Sequence, residues 1–426
     1  MKARLLIVAC SLGVRGASRG LAEVLQMRLT QEFECVVALP PGDGPLVSIM
    51  EGLGVRTVRC EQPYWVTPSG VDHWLYSIRR LPQAVADLQK IIAHERIDVV
   101  LTISGLTPVG AMASCVMGLP HVWYLQEAFL LPATGLAFPP GQPVLARAVA
   151  GLAAKIMVVS EAVRREYAPH AGDLELHVVP SGIDTERFNV ARPQPQARRI
   201  LSVGTTSPSK GLDDLIAAAE VLSHNQNDYI VDVLGDFDSL DYRAKITRRL
   251  ERQRLTERVR FHGWTEGAAD WYAKADIVCC PSHAESFGRS VVEGMAASCA
   301  VVATRCGGPE ETVIDGETGI LVPPHDPQAL AAALQTLIAS PKTAWAMGNR
   351  GRSRAVQLYD LRAAAGQWAA VIKQALDDGV DTRGSRGVTE LMLAVMSEAA
   401  PRMLLGKKYQ TVSRVLDFVR LPIFKA

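Results

Sequence analysis

The segment Ile277-Val-Cys-Cys-Pro-Ser-His-Ala-Glu-Ser-Phe-Gly-Arg-Ser-Val-Val-Glu-Gly-Met-Ala-Ala297 decides how the rest of the chain is read. It has three parts. A short apolar run closes at Pro281, a polar loop extends through Gly288, and apolar residues recur with helical spacing from Val291. The pattern is strand, loop, helix. In a parallel sheet such a turn sets the helix N-terminus, with its unpaired amides and partial positive charge, beside the carboxyl end of the strand, where anionic ligands collect. Glu285 lies in the loop and Glu293 about one turn into the helix, so carboxylates flank the place where a diphosphate would sit. Each can meet hydroxyl groups on either side of it, an arrangement suited to a nucleotide sugar.

The same alternation runs outward in both directions. Toward the N-terminus, apolar runs at Leu5–Ala9, Cys35–Leu39, Val55–Val58, Asp98–Ile103, His121–Leu125 and Lys155–Val159 alternate with helix-like stretches at Leu21–Leu29, Leu81–His94 and Val109–Met117. The pattern restarts at Arg199–Val203 and continues through strands at Ile230–Leu234, Val259–His262, Ile277–Cys280, Ala300–Thr304 and Gly319–Val322. Helices are expected at Leu212–Leu222, Arg243–Arg252, Gly267–Ala273, Ser290–Ala297, Pro327–Ile338 and Ala363–Leu376. Strands alternating with helices mean doubly wound parallel sheets. The length of 426 residues also exceeds one comfortable core. The expected organisation is α/β: an N-terminal Rossmann-like domain over 1–190, a second over 191–380 beginning in the Pro/Gln/Arg-rich stretch Ala191–Arg199, and a tail over 381–426. Two such domains are expected to hold a ligand in the cleft between them.

Composition excludes several classes. Lys and Arg number 45 against 44 Asp and Glu, a balance that argues against a chain built to coat nucleic acid. The eight cysteines are scattered without a C-x-x-C, which indicates neither a zinc site nor a disulfide framework, and the expected compartment is cytoplasmic. The opening Met1-Lys-Ala-Arg-Leu-Leu-Ile-Val-Ala-Cys10 reads as a first strand rather than a secretory signal, because its apolar run is shorter than the ~7–15 residues such a signal needs. The loop Ser11–Gly20 lacks the G-x-G-x-x-G spacing of a dinucleotide dehydrogenase; Gly16 there could admit a phosphate or sugar or simply make the turn. Lys210, in Thr205-Thr-Ser-Pro-Ser-Lys-Gly211, precedes a helix and could add its ammonium to the dipole in holding a diphosphate, or be an ordinary surface lysine.

Glu285-Ser-Phe-Gly-Arg-Ser-Val-Val-Glu293 resembles the E-x7-E signature of the retaining glycosyltransferases of family four, which share the two-domain GT-B fold. Val178-Val-Pro-Ser-Gly-Ile-Asp184, Val203-Gly to Lys210-Gly, Arg258-Val-Arg-Phe-His-Gly263, Ala275-Asp276, Ala303 to Glu310 and Asp315 to Pro324 agree with that family in order and spacing. The resemblance covers roughly residues 2–375. It implies that Glu285, with Ser286 and the Phe287-Gly288-Arg289 backbone, holds the donor sugar and its phosphate, Glu293 the ribose diol, and Lys210 the diphosphate. It also implies transfer with retention, with no cofactor beyond the donor. Two positions depart from the pattern. Thr205 stands where the family usually has an arginine, so either leaving-group stabilisation is weaker or Arg289 compensates. Tyr124-Leu-Gln-Glu127 stands where relatives carry a histidine, so Glu127 or Gln126 is expected to substitute. Asp236-Phe-Asp238 has the letters of a metal-binding D-x-D but lies in a glycine-led turn outside the E-x7-E loop, so no catalytic metal is expected.

The expected reaction moves a sugar from a nucleoside diphosphate sugar to a glycan, lipid-linked or small-molecule acceptor. An epimerase or hydrolase acting on the same donor, and a binding protein that has lost the chemistry, remain alternatives. In the tail, eight Lys and Arg face four Asp and Glu, and part of it looks amphipathic. It could lie on the anionic inner face of a membrane, as a peripheral contact, or pack on the first domain.

Overall fold

In the computed structural model, residues 2–14, 16–66, 71–127, 138–190, 198–225, 228–265 and 267–379 are described. The basic tail and most of the expected linker lie outside them. The chain divides into two compact units, one comprising Met1–Pro180 and the chain from Ala364 onward, the other Ser181–Ala363.

The first unit is built on seven parallel strands: β1 (Arg4–Ala9), β2 (Glu34–Leu39), β3 (Arg56–Arg59), β4 (Val99–Ile103), β5 (His121–Leu125), β6 (Lys155–Val158) and β7 (Leu176–Val178). Their order is β3-β2-β1-β4-β5-β6-β7. Strands β4 and β5, at the centre, are buried along their whole length, as expected of parallel strands covered on both faces. Helix Leu361–Asp378, which the sequence reading assigns to the second domain, belongs from Ala364 onward to this first unit. Packing decides it: the Trp368 ring lies 4.2 Å from that of Tyr124, both fully buried, and Lys155 pairs with Asp378 at 2.6 Å.

The second unit carries six parallel strands: β8 (Arg199–Val203), β9 (Ile230–Leu234), β10 (Val259–Phe261), β11 (Ile277–Cys280), β12 (Ala300–Thr304) and β13 (Ile320–Val322), in the order β10-β9-β8-β11-β12-β13. Strand order reverses between β8 and β11, so the loops that leave their carboxyl ends open a crevice there. The fold thus brings residues 204–211 and 281–288 together, although some 75 positions separate Lys210 from Glu285. Among the described residues no helix is long and apolar enough to cross a membrane.

Candidate functional site

The loop after β8 tightens into a 3₁₀ turn, Pro208–Lys210, and Gly211 then starts helix Leu212–His224 from a left-handed backbone, φ +70°. That glycine is obligatory. A Cβ there would sit 1.8 Å from the Pro281 carbonyl oxygen, because the loop after β11 passes directly over it. The His283 amide completes the join by donating to the Ser209 carbonyl at 2.9 Å.

Lys210 Nζ and Glu285 Oε2 meet across this junction at 2.6 Å. The charge of Glu285 raises the Lys210 pKa against the opposing effect of burial, so the ammonium is retained. The pair lines a pocket with Gly204, Thr205, Ser282 and Ser290. Glu285 is fixed from the other side too: its amide donates to the Cys306 carbonyl at 3.0 Å, and its carbonyl accepts from the Gly308 amide at 2.7 Å.

Gly288, at φ +85°, turns the chain into helix Arg289–Ala296. Phe287 is buried and meets Tyr359 edge to face. Glu293, 3% exposed, is braced by the Tyr272 hydroxyl, which donates to Oε2 at 2.9 Å. The Arg289 guanidinium donates to Ser181 Oγ at 3.0 Å and to the Gly182 carbonyl at 3.1 Å, and lies 3.7 Å from Glu293 Oε1. Ser286 follows Glu285 in the loop and is half-buried. Asp236 accepts from the Trp264 amide at 3.1 Å, a turn-closing role.

In the first unit, Gly16 begins helix Gly16–Val24 at φ +43° with open space where a Cβ would stand. Glu127 follows β5. Its Oε2 accepts from the Gly105 amide at 3.2 Å and the Gln126 amide at 3.3 Å. Burial pushes its pKa up, while these amides and the Ser104 hydroxyl pull the other way. Ser104 itself occupies a left-handed backbone, φ +81°, a strained position of the kind found beside functional groups.

The structure therefore gathers Thr205, Lys210 and Glu285 in one pocket and places Glu293 in the helix behind it. Glu127 and Gly16 belong to the other unit. Tyr272 and Ser282 were not singled out from sequence; neither a lone tyrosine 21 positions before its carboxylate partner nor a serine after a proline carries a local signal.

The fold is one that known proteins share. HepE of Anabaena, solved with UDP and glucose, superimposes with a TM-score of 0.72 at 23% identity, over 87% of this chain and 99% of that one. Sucrose-phosphate synthase of Thermosynechococcus elongatus gives 0.71 at 21% identity, over 88% and 100%. These likenesses define a GT-B fold. Residues 184–354 match the family described as glycosyl transferases group 1, and residues 14–187 match glycosyltransferase family 4. Among curated proteins, a D-inositol 3-phosphate glycosyltransferase of Kineococcus radiotolerans is 33% identical over 278 residues, 58% of this chain and 63% of that protein. An MMP alpha-(1->4)-mannosyltransferase of Mycolicibacterium hassiacum is 32% identical over 203 residues, 47% of this chain and 49% of that one. The matches span about half to three fifths of these relatives. The chain belongs to the GT-B glycosyltransferases of the group 1 and family 4 type.

Proposed function

We propose that the chain transfers a sugar from a nucleoside diphosphate sugar to a hydroxyl acceptor, with retention and without a catalytic metal. The observation that carries this reading is the Lys210–Glu285 pair, 2.6 Å apart in a pocket at the point where strand order reverses. An ammonium held by one carboxylate is a cation ready for exchange: the departing diphosphate takes the Lys210 charge, and Glu285 is released toward the hydroxyls of the sugar. The N-terminus of helix Arg289–Ala296 adds its partial positive charge. Buried Glu293, braced by Tyr272, serves the ribose diol. Uridine diphosphate sugars are the first donors to test, since HepE binds UDP and UDP-glucose.

The arginine position of the family holds Thr205, which lines the same pocket and offers a hydroxyl instead of a charge. Leaving-group stabilisation then falls mainly on Lys210. The acceptor is a glycan, a lipid-linked sugar or a small polyol in the cytoplasm, with Glu127 the group that accepts its proton. The basic tail, which lies outside the described residues, either packs on the first unit or gives peripheral contact with an anionic membrane. No cofactor takes part.

The test is release of nucleoside diphosphate from a panel of donors, with and without polyol and oligosaccharide acceptors. Acceptor-dependent release is expected, with the anomeric configuration of the product matching the donor by NMR. Lys210→Ala should lower kcat/KM by about 30- to 800-fold, the equivalent of ~2–4 kcal/mol of electrostatic stabilisation in a dry site. Conversion of the donor without any acceptor would point to an epimerase or hydrolase. Near-normal turnover by Lys210→Ala would remove the lysine from the mechanism.

A further inference from the structure

Two aspartates open helix Leu212–His224, and they serve different neighbours. Asp213 takes the Tyr242 hydroxyl at 2.8 Å and Lys245 at 3.1 Å. Asp214 faces His283, with Oδ2 2.8 Å from the imidazole Nε2. The His325 ring lies against that of His283, centroids 3.7 Å apart and the planes inclined at 39°. His325 occupies a left-handed backbone, φ +59°, in the turn between β13 and helix Pro327–Ala339. One ligand atom from each of the three residues lies within 4.8 Å of the others.

We propose that Asp214, His283 and His325 form a binding site for a divalent first-row transition ion of the zinc class. Two imidazoles and one carboxylate make a donor set for such borderline ions, whereas Mg²⁺ and Ca²⁺ take all-oxygen sites. Ligands at about 2.0–2.1 Å from a tetrahedral ion stand roughly 3.3 Å apart. Asp214 and His283 need open by only a few tenths of an ångström, and the exposed His325 closes the remaining gap. The fourth position is left to water.

The ion is a clamp and takes no part in neutralising the leaving group. None of the three residues lines the Lys210–Glu285 pocket. Two of them, His283 and Asp214, are nevertheless tied to the loops that build it. His283 stands two positions before Glu285 and donates its amide to Ser209, next to Lys210; Asp214 lies in the first helical turn after Gly211. An ion shared by them fixes the β8 loop, the β11 loop and the β13 turn to one another. This inference does not rest on the proposed reaction, and its test reads the ion directly.

The full chain, stripped with a chelator, is titrated with Zn²⁺ in competition with a chromophoric chelator, and separately with Co²⁺ followed by visible absorption. The expected result is one equivalent per chain, with the d–d bands of a nitrogen and oxygen site. His325→Asn removes the imidazole at an exposed turn while tolerating the left-handed backbone. It should weaken binding at least tenfold, given that losing even an outer partner of a metal ligand costs about 10- to 100-fold. Its thermal midpoint without metal should match wild type, and His283→Ala should weaken the ion likewise. Equal affinity in wild type and His325→Asn, no stoichiometric ion, or a cobalt–thiolate charge-transfer band placing the ion on cysteine would each overturn the proposal.

Discussion

Glu127 shows opposing demands on one side chain. Two backbone amides and a serine hydroxyl favour its carboxylate, yet burial outweighs them and holds its pKa above the usual range. The sign of the linkage follows. The unfolded chain loses this proton near pH 4.5, whereas the folded chain keeps it to higher pH, so stability falls as pH rises between the two values and stays lower above them. Glu127→Gln should therefore flatten that part of the stability–pH curve and raise stability at neutral pH, measured by urea unfolding from pH 4 to 8. If Glu127 accepts the acceptor's proton, the same variant loses turnover by about 10²- to 10⁴-fold. A stabilised variant with full activity would assign the residue a packing role. At this scale the sequence was most legible where a signature fixes spacing. Glu285 and Glu293 were visible as a pair, and Lys210 became persuasive only beside them. His283 and Asp214 gave no comparable signal, because their contact joins residues 69 apart.

Among elements, the meeting of the β8 and β11 loops is the most constrained. Gly211→Ala places a methyl group 1.8 Å from the Pro281 carbonyl at a positive φ, so one loop must move. We expect a loss of more than 2 kcal/mol by chemical denaturation. Gly54→Ala, at φ +66° with nothing near its Cβ, should cost only about 1 kcal/mol. Equal losses would show that the two backbones do not depend on that close approach. The central strands were readable because they are apolar runs buried on both faces, as at Val99–Ile103 and Ala300–Thr304. Helices were less so. Helix Val71–Glu95 begins ten residues before the expected Leu81, since Pro82, which reads as a helix start, lies inside it. Helix Pro341–Tyr359 was not foreseen. It contains two glycines, Gly348 and Gly351, and a Cβ at Gly348 would stand 2.1 Å from the Ser298 carbonyl. Close packing, which no helix propensity records, selects glycine there.

For the whole molecule, the two sheets and the restart at Arg199 were legible from periodicity, and the return of the last helix to the first unit was not, because it depends on Trp368 finding Tyr124. Stability of the first unit carries a pH dependence of its own. His121 is buried on β5 with Nε2 2.8 Å from Thr102 Oγ1, and burial pushes its pKa down to about 3. Its neutral form is built into the core. The contribution is complete above pH 6.5 and declines as pH falls from 6.5 toward 3, on the order of 2–3 kcal/mol by pH 4.5. His121→Gln should show a shallower acid limb in thermal midpoints between pH 7 and 4.5; an unchanged slope would mean that His121 is not the group that titrates.

The central claim is that the second unit binds a nucleoside diphosphate sugar through Lys210, Glu285 and Glu293. Calorimetric titration of a panel of nucleotide sugars into wild type and Glu293→Gln tests it most directly, with circular dichroism confirming that both are folded. The account predicts one clear binder whose affinity drops about tenfold or more in the variant, the equivalent of ~1.5–3 kcal/mol for charge-assisted hydrogen bonds to the ribose. A nucleotide sugar that binds both proteins equally, or silence across the whole panel, would contradict it.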